Sequence, residues 1–428
     1  MAWDFSTEPE FESKLEWMRG FVRDEIWPLE VAGLTPQAFR RAIVPLQEEV
    51  KGQGLWAAHL GPELGGQGFG QVKLGLMHEI LGTSFYAPIV FGNNAPDSGN
   101  AELIALAGTD EQKQRWLWPL LEGRIRSAFS MTEPGAGADP TVISTRAERV
   151  GDEWVINGHK WFTSNGATSD LLIVMAVTNP DVHPYQGMSM ILVPTDTPGV
   201  TILRNIGTME DPDHPMDMPG GHAEILYQDV RVPVENLLGD EGQAFVLAQK
   251  RLGPGRIHHV MRWIGQCNRA FDMMCERAVS RVVFGEPLAR KQTIQNWIAE
   301  SATEIHALRL MTLHAAWKMD NEGSSAARKE ISMIKFWGGR VLHDVIDRAI
   351  QVHGSLGFST DLPLEHMYRA ARAGRIYDGP DEVHRMTVAR QVLKGYEPRD
   401  VPSQHVPTRR EEARQRFAEL LDAASANL

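Results

Sequence analysis

Two cysteines in 428 residues are too few for a disulfide framework. They stand at Cys267 and Cys275. On one helix their separation of eight positions would span about 12 Å, beyond the reach of an S–S bond. No run of eighteen apolar residues occurs, and the segment MAWDFSTEPEFESKLEWMRGF carries acids where a secretory leader would be basic. These absences lead us to expect a soluble, cytoplasmic chain with no membrane segment. Positive charge is also short: 43 Lys and Arg face 55 Asp and Glu, for a net charge of −12 and a pI near 5.7. Such a field repels phosphate and argues against non-specific binding to nucleic acid or anionic lipid. Neither a G-x-S-x-G elbow nor a Walker A loop is present.

What the chain does have is core-forming material. Hydrophobic residues make up 43% and tryptophans number twelve, which excludes a disordered chain. Its length allows two or three domains, or one helical body with an inserted module. Phe11, Leu15, Met18 and Val22 share one helical face, and helical stretches such as Val72–Thr83 and Asn100–Leu106 are broken by glycine-rich turns, notably Gly61–Gln71. From about Phe129 the pattern turns to short strands. EWVINGHKWF reads as two strands joined through Asn157-Gly158, a strong hairpin signal, followed by LLIVMAVT, GMSMILVPTD, GVTILR and AEILYQDVRVP. Helical periodicity returns over Gln243–Phe284, Thr293–Glu322, Ala326–His353 and Asp381–Lys394. A charged amphipathic segment, TRREEARQRFAELLDAASA, follows a linker at Tyr396–Pro407 and reads as a surface or subunit-contact helix.

Several clusters could carry chemistry. EPGAGADP (Glu133–Pro140) has the first two glycines of a dinucleotide fingerprint, but Pro140 replaces the third and strands follow. A nicotinamide-binding Rossmann unit is therefore not expected, and a ligand-binding loop is favoured over a plain turn. His258 and His259 project about 100° apart on a helix and cannot easily share a metal ion, so helical polar surface is the expectation. MEDPDHPMD (Met209–Asp217) lacks any calcium or zinc spacing and reads as an exposed loop. RIYDGPDEVHR (Arg375–Arg385) sets three acids about a Gly-Pro turn. Alone it could be a solvated turn, a metal site or a catalytic carboxylate.

SAFSMTEPGAGAD (Ser127–Asp139), INGHKWFTSNG (Ile156–Gly166), RVVFGEPL (Arg281–Leu288), QVHGSLGFST (Gln351–Thr360) and RIYDGPDEVHRMTVAR (Arg375–Arg390) resemble, in order and spacing, the motifs of the acyl-CoA dehydrogenase family. RLGPGRIHHVMR (Arg251–Arg262) and DGPDEVH look most like the branch whose animal members carry a fused kinase-like domain. The resemblance implies an α+β chain with the family's three-domain fold. Residues 1–127 would be a helical domain, 128–241 a middle β-barrel-like domain, 242–396 a C-terminal four-helix bundle and 397–428 a helical extension.

It also implies FAD as cofactor, an acyl-CoA substrate of medium or greater length, electron-transfer flavoprotein as acceptor, and a homodimer or dimer of dimers. Phe129, Met131, Thr132, Phe162 and Ser164 match positions lining the flavin. Arg281, Phe284 and Gln292 match contacts to a neighbouring subunit's FAD, and Gln351, Gly354 and Ser355 match the second adenosine-diphosphate contact. Asp378 occupies the position of the glutamate base, one methylene shorter, while the alternative base position near Lys250 offers no carboxylate. Pro380 and Glu382 fall at flavin-contact positions, and Ala138, Arg251 and Gly379 at substrate positions. Such a base should be desolvated, with a raised pKa, and the resemblance gives the Asp378 backbone N–H and a ribityl hydroxyl as donors to the enolate-like oxygen. Ala138 replaces the family's usual serine. Asn93, Asn94 and Asp97 make an acyl-lining segment polar, unless they cap the next helix. The same scaffold could also serve elimination or isomerisation of a 4-hydroxy- or 4-phospho-acyl-CoA, a nitroalkane-type oxidase, or a flavin-bound scaffold without turnover.

Overall fold

The structure, a computed structural model, describes residues 4–64, 66–398 and 410–425. The chain divides into two compact units, Met1–Arg385 and Met386–Leu428.

In the first unit α1 (Pro9–Phe21) buries Phe11, Leu15 and Met18, as the helical spacing predicts, and runs through a π-helical stretch, Val22–Ile26, into α2 (Trp27–Val31). Then come α3 (Pro36–Gly52), α4 (Gly70–Leu81), α5 (Ala87–Val90), α6 (Asp97–Ala107), α7 (Asp110–Gln112) and α8 (Trp118–Leu121). Thr109 and Gln112 close a reciprocal capping box on α7.

The β segment comprises β1 (Ser127–Ser130), β2 (Arg146–Val150), β3 (Glu153–Ser164), β4 (Leu171–Val177), β5 (Met188–Pro194), β6 (Val200–Asn205), β7 (His222–Pro233) and β8 (Leu237–Leu238). Its order is β6-β7-β3-β2-β4-β5-β8, with β1 parallel to β4. The run LLIVMAV is apolar throughout because both faces of β4 are covered. Leu171, Ile173 and Met175 join a cluster with Ala101 and Ile104 of α6, while Leu172, Val174 and Ala176 face Ile191, Ile225 and Tyr227.

The expected hairpin at Asn157-Gly158 is not there: β3 runs straight through it, with a register shift against β7 between Ile156 and Gly158. The Asn-Gly pair forms a bulge. Gly158 lies against the Thr145 side chain, where a Cβ would clash, and Asn157 binds Asp229, itself in left-handed backbone. The two-residue turn is at Gly151-Asp152, where Val150 pairs with Glu153.

After the sheet the chain returns to helices: α9 (Ala244–Ser280), then α10 (Gln292–Glu322), α11 (Arg328–His353), α12 (Ser355–Phe358), α13 (Leu364–Ala373) and α14 (Asp381–Leu393). A small hairpin, β9 (Val282–Val283) and β10 (Glu286–Pro287), separates α9 from α10. One apolar cluster runs from Phe11, Met77 and Leu81 through Ile257 and Ile264 to Leu308, Ile346 and Ala371, so helices from both ends of the sequence share a core. Backbones of α4 and α9 approach closely where glycines permit it: a Cβ on Gly82 would overlap the Arg262 carbonyl, and one on Gly265 the Glu79 carbonyl. Both cysteines lie on α9 with free thiols.

In the second unit, the C-terminal segment is two short helices rather than one, α15 (Arg410–Arg416) and α16 (Ala418–Ser425). Most of the expected linker lies outside the described residues.

Candidate functional site

The stretch Tyr377-Asp378-Gly379-Pro380 links α13 to α14 and is held from several sides. Asp378 and Gly379 both take positive φ, 53° and 100°. Asp tolerates that region better than most side chains. The Asp378 carbonyl accepts from Arg256 Nε at 2.9 Å and lies 3.2 Å from His384 Nε2. Lys335, fully buried on α11, donates to the Gly374 carbonyl at 2.7 Å and reaches the Gly379 carbonyl at 3.4 Å. Its ammonium sits over the Trp263 and Tyr377 rings, and Trp263 Nε1 donates to the Tyr377 hydroxyl at 2.9 Å. Burial lowers the Lys335 pKa to about 8, against the opposing pull of Asp378 and Asp381. Asp381 is buried and paired with Arg375 at 2.8 Å. The turn is thus half-buried and tied to the helical core, with Asp381 inside and Glu382 outside, which disfavours a freely solvated surface turn.

Beside the Asp378 carboxylate, His259 Nε2 lies 3.2 Å from Oδ2. Arg262 Nη2 donates to His259 Nδ1 at 2.9 Å, and its Nη1 to His78 Nδ1 at 3.2 Å. His78 stacks on His258 at 4.4 Å, and His258 Nε2 meets Gln71 Oε1 at 3.0 Å. The expectation of polar surface at His258 and His259 is thus overturned, because α4 and the Asp378 turn cover that face of α9. Burial lowers the pKa of both histidines, and Arg262 lowers them further.

The expected raised pKa of Asp378 is also reversed. Burial works to raise it, but the His259 contact and the charges of Arg256 and Arg251 outweigh burial and hold the carboxyl well below the usual carboxylate range.

On the sheet side, Phe129 at the end of β1 packs under the Arg251 guanidinium, 4.5 Å from its ring centre. Arg251 lies within electrostatic reach of both Asp378 and Glu102, and burial raises Glu102 to about 8. Arg251 thereby connects Phe129 with the Asp378 charge. Met131 and Thr132 continue from β1, and their carbonyls accept from Lys160 Nζ (2.7 Å) and Trp161 N (3.0 Å). Lys160 also binds Glu133 at 2.9 Å inside the protein, and Glu133 accepts from Ser144 N, Ser144 Oγ and Thr145 N. This pair anchors the EPGAGADP loop, whose Gly135, Gly137 and Ala138 remain exposed.

Phe162 is 41% exposed in left-handed backbone and faces His222, whose Nδ1 meets Ser164 Oγ at 2.9 Å. The polar segment does not cap α6: Asp97 accepts from Ser127 N and Oγ, while Asn93 pairs with His59. Of the remaining positions, Phe284 is 99% exposed at the tip of the β9–β10 hairpin and Arg281 stands exposed at its base. Gln292, Gln351, Gly354 and Ser355 lie at helix ends, and Glu382 is an exposed partner of Arg385. Among the described residues no cluster of three or more His, Cys, Asp or Glu could hold a metal ion, and no helix is long and apolar enough to cross a membrane.

Models for the acyl-CoA dehydrogenase N-terminal, middle and C-terminal domains match residues 8–124, 128–217 and 242–393. A probable acyl-CoA dehydrogenase, FadE2 of Mycobacterium tuberculosis, is 48% identical over 355 residues, covering 82% of this chain and 85% of that protein. The chain belongs to the acyl-CoA dehydrogenase family. Mouse acyl-CoA dehydrogenase family member 10 is 44% identical over 390 residues, 87% of this chain and 36% of that protein, so the chain spans well under half of that larger relative. The solved structure of a putative acyl-CoA dehydrogenase from Mycobacterium abscessus has a TM-score of 0.87 at 39% identity, covering 92% of this chain and all of that one. Butyryl-CoA dehydrogenase from Megasphaera elsdenii follows with 0.79 at 28% identity, 91% and 100% covered. As an acyl-CoA dehydrogenase family member, the chain is an oxidoreductase.

Sequence reasoning missed Arg262, His78, Lys335 and the Glu133–Lys160 pair. Lys335 had a signal: a lone lysine inside the apolar run ISMIKFWGG. Arg262 had none, since its partners come from α4 and from its own helix one turn back.

Proposed function

We propose that this chain is an FAD-dependent acyl-CoA dehydrogenase in which Asp378 removes the α-proton of an acyl-CoA thioester and the β-carbon gives up hydride, forming a trans-2-enoyl-CoA. The observation that carries this reading is the Asp378 carboxylate itself, fixed on a half-buried left-handed turn among Arg251, Arg256 and His259.

Residues suited to FAD stand at least partly exposed on the loops, strands and helix ends that the resemblance singles out. Gly135, Gly137 and Gly354 each have open space where a Cβ would stand, so a cofactor can approach their backbone. Phe162 offers an exposed apolar wall, and Thr132 and Ser164 are hydroxyl donors at the ends of β1 and β3. Arg281 and Gln351 are exposed donors suited to a pyrophosphate. When bound, the flavin supplies the hydride acceptor.

The rest falls to the chain. Ionised Asp378 accepts the proton through a carboxylate oxygen. Its backbone N–H, with no acceptor among the described residues, can hold the thioester oxygen as charge develops there. Lys335 and Arg256 keep the turn from relaxing. The exposed Phe284 at the hairpin tip supports the homo-oligomer reading, in which a second copy covers it. Electron-transfer flavoprotein is the proposed acceptor.

Asp378→Asn tests the base. Mixed anaerobically with an acyl-CoA panel, wild-type protein should bleach rapidly, while the variant should retain yellow FAD and bleach at least about 100-fold more slowly. Undiminished bleaching in the variant would remove Asp378 from the mechanism.

A further inference from the structure

Arginine only donates hydrogen bonds. The contacts of Arg262 to His259 Nδ1 and His78 Nδ1 therefore make both nitrogens acceptors, with their neutral-ring protons on Nε2. In His259 that proton sits on the nitrogen that lies 3.2 Å from Asp378 Oδ2. The ring is further fixed by packing on Tyr377, 4.8 Å between centroids. Among the described residues Oδ1 of Asp378 has no hydrogen-bond partner, so the two carboxylate oxygens are unlike.

The position of Arg262 is itself set by the backbone. Gly82 lets the end of α4 come against the Arg262 carbonyl, which brings His78 within reach of the guanidinium. A guanidinium does not give up its proton at accessible pH, so it interrupts any proton path from Asp378 through His259 to His78. What remains for it is orientation.

We propose that Arg262 is a positioning residue which fixes the His259 tautomer, so that Nε2–H occupies Asp378 Oδ2 and leaves Oδ1 to take the substrate proton. This rests on the reading of Asp378 as the base. Charged or titratable groups facing His259 are Arg262 on its own helix, His78 on α4, Asp378 and Tyr377 on the turn, and Lys335 on α11. Among the described residues none of them offers Nδ1 a second donor.

The test is nitrogen NMR of the FAD-loaded protein labelled with 15N-histidine, with the His259 signals assigned through His259→Gln. Wild-type His259 should show a protonated Nε2 and a bare Nδ1 at pH 7.5; a proton on Nδ1 overturns the proposal without recourse to any variant. Arg262→Met should lose this tautomer preference and slow anaerobic bleaching by about ten- to a hundred-fold, with little change in the substrate concentration giving half-maximal rate. Arg262→Lys, which keeps a donor-only head group, should restore both. Equal rates for Arg262→Met and wild type also overturn it. Asp378→Asn separates the two claims: rapid bleaching there refutes the base, whereas a misplaced His259 proton refutes only the role of Arg262.

Discussion

Glu133 and Lys160 form an ion pair with side chains 4% and 0% exposed, and Glu133→Ala tests what that pair does. Removing one member of a buried pair typically costs about 3–5 kcal/mol, because the survivor keeps its desolvation penalty. Here the two members are not equivalent. Without Glu133, the ammonium keeps only the Met131 carbonyl, and the Ser144 and Thr145 backbone N–H groups lose their acceptor, at about 1–3 kcal/mol each if left unmet. Without Lys160, the carboxylate still accepts from Ser144 N, Ser144 Oγ and Thr145 N. Glu133→Ala should thus destabilise by about 5 kcal/mol or more, and Lys160→Met by about 3. The assay is urea unfolding at pH 7.5, read from the sheet signal and from Trp154, which is buried in that domain. Equal costs, or Lys160→Met the more damaging, would refute the argument that backbone acceptors set the difference. Because the same loop carries Met131, Thr132 and Ala138, FAD retention should fall in the same order.

Three further outcomes are expected. The lowered pKa of Asp378 places its acid limb beneath the ordinary carboxylate range, so the pH profile of kcat/KM should be flat on its acid side between about pH 5 and 7; an inflection near 6 would contradict the electrostatics. His59 and His384 are held near 4 by burial. Between that value and an unfolded pKa of about 6.5 the unfolded chain binds more protons, so stability should fall as pH drops through this window, by as much as ~3 kcal/mol for His59. Urea midpoints at pH 7.5, 6 and 5 would reveal the slope, and a rise toward acid would refute the sign. Gly82→Ala forces α4 away from the Arg262 carbonyl and should lower thermal stability by about 1–3 kcal/mol or more; a neutral result by calorimetry would mean that the close approach is dispensable.

Segments with one strong period were readable from the sequence. The spacing of Phe11, Leu15 and Met18 marked the first helix, and LLIVMAV marked a strand. Asn157-Gly158 misled because a bulge and a tight hairpin ask for the same residues; the discriminating contacts, to Thr145 and Asp229, are distant in sequence. His258 and His259 misled for a related reason. Adjacent histidines on a helix read as surface unless one knows that α4 and the Asp378 turn pack on them. The direction of the Asp378 pKa was likewise illegible, since burial and three basic neighbours pull it opposite ways and only their distances decide.

The helical core is closed by segments from both sides of the sheet: α4 ends at Leu81 and α9 begins at Ala244. Most interactions that stabilise the early helices therefore join residues far apart in sequence. Loop-closure entropy must be met before they form. During synthesis the apolar faces of α1 and α4 wait for more than a hundred and fifty intervening residues, the whole sheet among them, to emerge, about ten to thirty seconds at ordinary elongation rates. Over that interval they are surfaces a chaperone can hold, and mutations that slow sheet formation lengthen the exposure of helices they never touch.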